Sequence, residues 1–317
     1  MLSWGATASP SQGLEQQDEE APRYAAPSTL DRVGRVVAEV DVNGHGPFRF
    51  VMDTGANRTA ISSRLAAALG LQPDKEKGIE VHGVTGSAVM AAVSGVTLGV
   101  GDFTFANQRL PVLDDVVFSD ADGILGVENL QDHRVEVDFV ADRVTVRRSS
   151  ARPAKDGYFV VPAKLARGGL LLIKGRVGRI RTNVIVDTGA QRTIGNLALH
   201  RALVRSRSGR IETYATVVGA TPGVVRAVAL DAPTIAIGNA RLDDVIVSFA
   251  DLHVFSLWDL GGEPALVVGM DVLGTVERFV VDYGRKEFQF RAQRMREVTY
   301  HNCNRGGCTT GTRLPGR

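Results

Sequence analysis

Residues 51–62, VMDTGANRTAIS, recur at 185–196 as IVDTGAQRTIGN. Asp53 is matched by Asp187, an offset of 134 (187 − 53). Each copy closes an apolar run, FRFVM in the first and TNVIV in the second. Each is also preceded by an alternating, Gly-punctuated segment, VVAEVDVNGHGPFRFVM at 36–52 and LLLIKGRVGRIRTNVIV at 170–186. Alternation around a central turn is the pattern of a β-hairpin.

The correspondence continues downstream in the same order. GVTGS (83–87) is matched by GATPG (219–223), TLGVGD (97–102) by TIAIGN (234–239), and ILG (124–126) by VVG (267–269). VEVDFVADRVTVR (135–147) is matched by FVVDYGRKEFQFR (279–291), where the offset has grown to 144 (279 − 135). The second copy therefore carries insertions, partly around HVFSLWDLGGEP (253–264). Ordered self-similarity of this kind marks a duplicated unit. Each unit reads as strands and turns with one short helix, at 62–69 and 197–203. The expected class is all-β, with a first lobe over 29–150 and a second over 151–293. LDDV at 113–116 and at 242–245 falls out of the rising order and is read as solvated turns.

Composition agrees with two such units. The 317 residues are 44% hydrophobic and 23% charged, and they include 35 glycines with 6% aromatics. The 37 basic and 35 acidic residues leave a net charge of +2, which gives no reason to expect nucleic acid as a partner. No apolar run approaches the ~18 residues of a membrane span. Residues 1–28 are polar and acidic and read as a disordered tail. Ala6-Thr7-Ala8 resembles a signal-peptide cleavage site but lacks a basic segment before it. The stretch is either a flexible tail or a truncated leader, the second favouring a periplasmic or secreted location over a cytoplasmic one. Residues 294–317 read as a flexible tail, with Cys303 and Cys308 either a small disulfide loop or two idle thiols. No metal-ligand pattern and no cofactor motif is expected.

The chemistry lies in Asp-Thr-Gly. A carboxylate at the end of a buried strand is costly unless it is paired or hydrogen-bonded. Gly55 and Gly189 let the chain turn and bring backbone N–H groups close to a carboxylate or ligand. Thr54 and Thr188 carry hydroxyls able to bond across to the other copy. Two such loops around a pseudo-two-fold axis bring Asp53 and Asp187 together. Adjacent carboxylates share one proton and titrate with separated pKa values. The ionised member can then take a proton from water, and the protonated one can bond a carbonyl oxygen. The alternative is a structural carboxylate that only accepts backbone N–H bonds.

With one apolar-apolar-Gly after each DTGA, residues 30–292 resemble the retropepsin-like aspartic peptidases, and more narrowly their bacterial members. The resemblance implies a bilobal aspartic-protease fold, two similar β-barrel lobes with short helices and a cleft between them. It implies Asp53 and Asp187 as the catalytic pair, supported by Thr54, Thr188, Gly55 and Gly189. Ala56 and Ala190 would offer backbone contacts to substrate. Residues 81–89 and 217–225 would be flap hairpins, with Gly83, Val84, Gly219 and Ala220 against the substrate. It implies a peptide or protein substrate and a pseudo-dimer within one chain, acting as a monomer. A weakly catalytic binding protein and a self-processing protease are the alternatives.

The sequence departs from that pattern in two places. Retroviral enzymes carry an Arg soon after ILG, whereas Val127-Glu128-Asn129 and Met270-Asp271-Val272 stand here. The flap Tyr of pepsin-like enzymes is missing from the first flap, which has His82, and Tyr214 is out of register for the role. Arg58 and Arg192, at the same spacing in both copies, are read as surface ion pairs. His82 is read as a plain flap-strand residue, and residues 119–123 as a turn. Trp258 either shapes one side of the cleft or packs beneath it.

Overall fold

Alternating strands joined by tight turns lead, as the pattern demands, to one sheet-built lobe for each copy. A computed structural model describes residues 23–27, 29–31, 34–206, 210–221, 223–292, 298–304 and 307–313. In the first lobe Val36–Val42 pairs antiparallel with His45–Met52, and Gly86–Val100 with both Asp74–Gly83 and Phe103–Leu113. Val36–Val42 also meets Gly86–Val100, which closes the sheet on itself. The second lobe repeats this. Leu171–Val177 pairs with Ile180–Val186, Arg210–Val218 with Val224–Asp231, and Ile235–Ile237 returns to pair with Leu171–Val177, the hydrogen-bonded ladder being interrupted between Asp231 and Ile235. The chain is all-β and bilobal.

Helices are few and short because only two stretches combine a cap with apolar spacing. Ser62 accepts the Leu65 N–H at the start of Ser63–Ala68, and Asn196 accepts the Leu199 N–H at the start of Leu197–Arg205. Both lie where the sequence places them. The acid pair of the first LDDV segment, expected as a turn, opens a single 3-10 turn, Asp115–Val117, because Asp114 caps it by accepting the Val116 N–H, and Asp115 also accepts the Arg64 N–H at 2.9 Å, tying down the first helix.

The lobes are joined by a sheet built from their matched strands. His133–Asp138 runs antiparallel to Val276–Asp282, with Glu136 opposite Val280, its own counterpart at the offset of 144. Arg134 faces Asp282 and Asp138 faces Arg278, so the pairing is self-complementary, as across a two-fold axis. Arg278 Nε lies 2.8 Å from Asp138, and the symmetry-related Arg134 lies 4.0 Å from Asp282. Each lobe also keeps a largely aliphatic interior, with Val40, Phe50 and Leu98 buried in the first and Val184, Leu199 and Val247 in the second.

Residues 1–22, part of the expected N-terminal tail, lie outside the described residues. Val298–Asn304 and Gly307–Arg313 pair as a hairpin with Cys303 opposite Cys308. The side chains of both cysteines lie outside the described residues. Among the described residues no helix is long and apolar enough to cross a membrane.

Candidate active site

Each Asp-Thr-Gly sits at the end of an interior strand that is also the parallel partner of the apolar-apolar-Gly strand. Met52 lies beside Leu125, and Val186 beside Val268. The Asp53 N–H donates to Leu125 O at 3.1 Å, and the Asp187 N–H to Val268 O at 3.0 Å. The glycine that follows must be small. A Cβ on Gly126 would come within 2.5 Å of the Arg58 carbonyl carbon, and one on Gly269 within 2.8 Å of the backbone of Ala190 and Arg192. This contact is the physical reason the two motifs recur together.

The two loops are bolted to each other by their threonines. The Thr54 N–H donates to Thr188 Oγ1 at 3.0 Å and the Thr188 N–H to Thr54 Oγ1 at 3.1 Å. Thr54 Oγ1 donates to Val186 O at 2.8 Å, and Thr188 Oγ1 donates to Met52 O. Both side chains are buried. Thr54→Val is therefore expected to orphan the Val186 carbonyl and the Thr188 N–H, a loss of about 1–3 kcal/mol per group. Thermal unfolding checks this, with Thr54→Ser recovering most of the loss.

The bolt brings Asp53 and Asp187 within hydrogen-bond reach of each other. Gly55 N–H donates to Asp53 Oδ1 at 2.8 Å. Gly189 and Ala190 N–H donate to Asp187 Oδ1 at 2.8 and 3.1 Å. Burial raises both carboxyls above the ordinary carboxylate range. Asp187 is raised the more, by burial and then by the charge of Asp53. At Asp53 burial is opposed by the Gly55 N–H, by the bond to Asp187 and by the field of Arg35. Arg35 is itself buried, held by Asp31 at 2.6 Å and donating to Phe118 O at 3.0 Å. At the offset of 134 the second lobe has Gly169 in its place. Both carboxyls of the near-symmetric pair are thus harder to ionise than an ordinary Asp, and two such groups in contact are suited to share one proton. Tyr283 is fully buried, and burial followed by the two aspartates holds its phenol well above the usual range. It stays neutral and adds no charge beside them.

Above the pair, the flaps meet. The first turns at Val84-Thr85, and the last strand pair of the second is Val218 with Val224. Thr85 Oγ1 lies 3.3 Å from both Thr221 O and Thr221 Oγ1, and Thr221 Oγ1 lies 3.2 Å from Gly86 O. A Cβ on Gly83 would come within 2.6 Å of Thr221 Oγ1, and one on Gly219 within 3.2 Å of Val84. Of the four flap residues singled out from sequence, Gly83, Val84 and Gly219 therefore lie against the opposite flap, and Ala220 packs on the first lobe. Ala56, Val81, Met90 and Ala220 pack on a patch formed by Val51, Leu113, Phe118 and Ile124, which makes the first-lobe wall apolar. Among the described residues no group of three His, Cys, Asp or Glu could hold a metal.

A sequence model of the aspartyl protease family matches the chain twice, over residues 38–128 and 173–272. Each match takes in one Asp-Thr-Gly, and together they cover more than half of the 317 residues. The chain belongs to the aspartyl protease family. No curated protein matches it. The two matches lie one in each lobe, so this aspartyl protease carries both halves of its fold on one chain.

Three expectations need correction or completion. Arg58 and Arg192 are exposed and, among the described residues, make no ion pair. The acids that might have held them are engaged elsewhere. Glu128 accepts the Thr59 N–H at 2.6 Å, and Asp271 accepts the Thr193 N–H at 2.9 Å and its hydroxyl at 2.7 Å. Thr59 and Thr193 in turn accept the N–H of Gly126 and Gly269. These acids fasten the catalytic loops where retroviral enzymes use an Arg. The signal was an acid two residues after the Gly in both copies. Trp258 packs edge-on to Phe255 inside the second lobe, which resolves its two readings in favour of packing beneath. His82 is more than a flap-strand residue, because its ring meets His253 of the other lobe.

Proposed function

We propose that this aspartyl protease is an active endopeptidase that cleaves peptide bonds between lobes, using Asp53 as base and Asp187 as acid. Asp53 takes a proton from a water molecule as the water oxygen attacks the peptide carbonyl carbon. Asp187 gives its proton to the carbonyl oxygen, stabilising the tetrahedral species. Collapse returns that proton to Asp187 while Asp53 delivers its own to the leaving nitrogen and the C–N bond breaks. No covalent enzyme intermediate forms. The observation that carries this reading is the carboxylate pair itself, brought together by the Thr54–Thr188 bolt, held by the N–H groups of Gly55, Gly189 and Ala190, and raised by burial on both sides.

The same reading names a substrate class. The flaps would lie over an extended peptide, and the apolar wall of Ala56, Val81 and Met90 favours an apolar side chain next to the cleaved bond. One copy of the chain supplies both carboxylates. The test is a diverse peptide pool incubated in H2(18)O between about pH 3 and 8. Internal cuts should appear, with one heavy oxygen in each new carboxyl group and no transfer of the acyl part to added amines. Tight binding of an uncleavable peptide with no cut at any pH would point instead to a binding protein with this fold.

A further inference from the structure

His82 lies on the first flap, opposite Ser87 and one pair below the turn. His253 opens the short helix His253–Leu257 of the second lobe, within the insertion that has no counterpart in the first copy. Their rings stack at 5.6 Å between centroids and 24° between planes, with His82 Nδ1 3.4 Å from His253 Nε2. The contact therefore ties the first flap to the opposite lobe rather than to its own barrel. The tips of the two flaps are also in contact, through Thr85 and Gly86 with Thr221.

Both imidazoles are half-buried. Glu80 Oε2 stands 3.9 Å from the other nitrogen of His82, Nε2, and its side chain is mostly exposed. Further down the same strand lie Lys75, Glu76 and Lys77, all exposed. On the facing segment Asp251 precedes His253 by two residues and Asp259 follows the helix, both exposed. Glu80 addresses the nitrogen that faces away from His253. Among the described residues no group of three His, Cys, Asp or Glu that could hold a metal ion includes the ring pair.

We propose that His82 and His253 form a latch that holds the first flap closed and is released by acid. With no added proton, one imidazole N–H donates to the other ring. With one added proton the bond persists as imidazolium to imidazole and is strengthened by the charge. A second proton removes the acceptor and sets two positive charges face to face. Glu80 on the far side of His82 offsets that only partly, because it is solvated. The latch is therefore kept while at least one ring is neutral and lost when acid charges both. Acid would admit peptide by freeing the flap, independently of whether the aspartates then cleave it.

Hydrogen exchange of the full-length protein tests this without relying on turnover. Rates for flap residues 79–90 are measured at about pH 7.5 and pH 5 and corrected for the intrinsic pH dependence of exchange. The expected result is at least a tenfold loss of flap protection at the lower pH in the wild type. His253→Gln, which keeps a hydrogen-bonding side chain but cannot acquire the charge, should lose that pH dependence, and so should His82→Gln. Unchanged melting of both variants at pH 7.5 would confirm that they fold. A flap whose protection is flat with pH, or whose pH response survives both substitutions, overturns the latch and leaves the proposed peptidase reading untouched.

Discussion

Asp53→Asn is expected to lower the rate of peptide hydrolysis by about 10²–10⁴-fold, since it removes the group that takes the proton from water. Binding of an uncleavable peptide should survive, because Asn keeps an oxygen for the Gly55 N–H. Asp187→Asn should be equally inactive, with a second signature in stability. Both carboxyls are raised above their unfolded value of 3.8, chiefly by burial. A raised folded-state pKa means that the stability associated with the group is fully present below the unfolded pKa. It is lost as pH rises through the folded one. At neutral pH the wild type therefore carries a burden that neutral Asn removes. Asp187→Asn should melt higher than wild type near pH 7, by about 2 °C or more, and the gain should shrink as pH approaches 4. A variant that melts lower at pH 7, or whose advantage grows toward acid, would show that Asp187 is not the strained member. The same shifts place the pH–rate curve. Its two limbs report the pair rather than either residue, and burial of both carboxyls should carry the alkaline limb above the ordinary Asp range.

What could be read from the residues was whatever the duplication repeats. Asp53 and Asp187, their threonines and the two apolar-apolar-Gly strands occur twice at matching places, and one copy interprets the other. The self-complementary pairing of Glu136 with Val280 follows from the same repeat, because a fused pair of like units joins through like strands. What was illegible is what the copies do not share. Arg35 has no counterpart in the second lobe, yet its charge acts on Asp53 and opposes the effect of burial there. His253 sits in an insertion, so nothing in the first copy hints that it reaches His82. Glu128 and Asp271 are an intermediate case. They were visible as a repeated departure from the retroviral pattern, but their partners, the N–H groups of Thr59 and Thr193, are backbone atoms that sequence cannot point to.

Gly55→Ala and Gly189→Ala should be the most damaging single-methyl changes in the molecule. A Cβ on Gly55 would overlap the Asp187 carboxyl group, and a Cβ on Gly189 would overlap that of Asp53. Neither glycine is among those with a positive φ, so the requirement is for space and not for backbone freedom. Nor can the clash relax cheaply. Each carboxylate is held by its own loop's N–H groups, and the loops are bolted by Thr54 and Thr188. The methyl must either swing a carboxylate off those donors or push the lobes apart at the bolt. Overpacking of this kind costs about 1–3 kcal/mol, and a displacement of about 1 Å at the reacting groups is enough for a 10²-fold loss of rate. Gly262→Ala is the control, since nothing lies within 4 Å of its Cβ position, and it should stay within about 0.5 kcal/mol of wild type. The decisive comparison is a double-mutant cycle. Truncating the side chain that is struck, in Gly55→Ala with Asp187→Ala, should recover most of the stability lost by Gly55→Ala alone while activity stays absent. If the two changes simply add, the methyl on Gly55 is not meeting Asp187, and the two carboxylates do not face each other across the lobes.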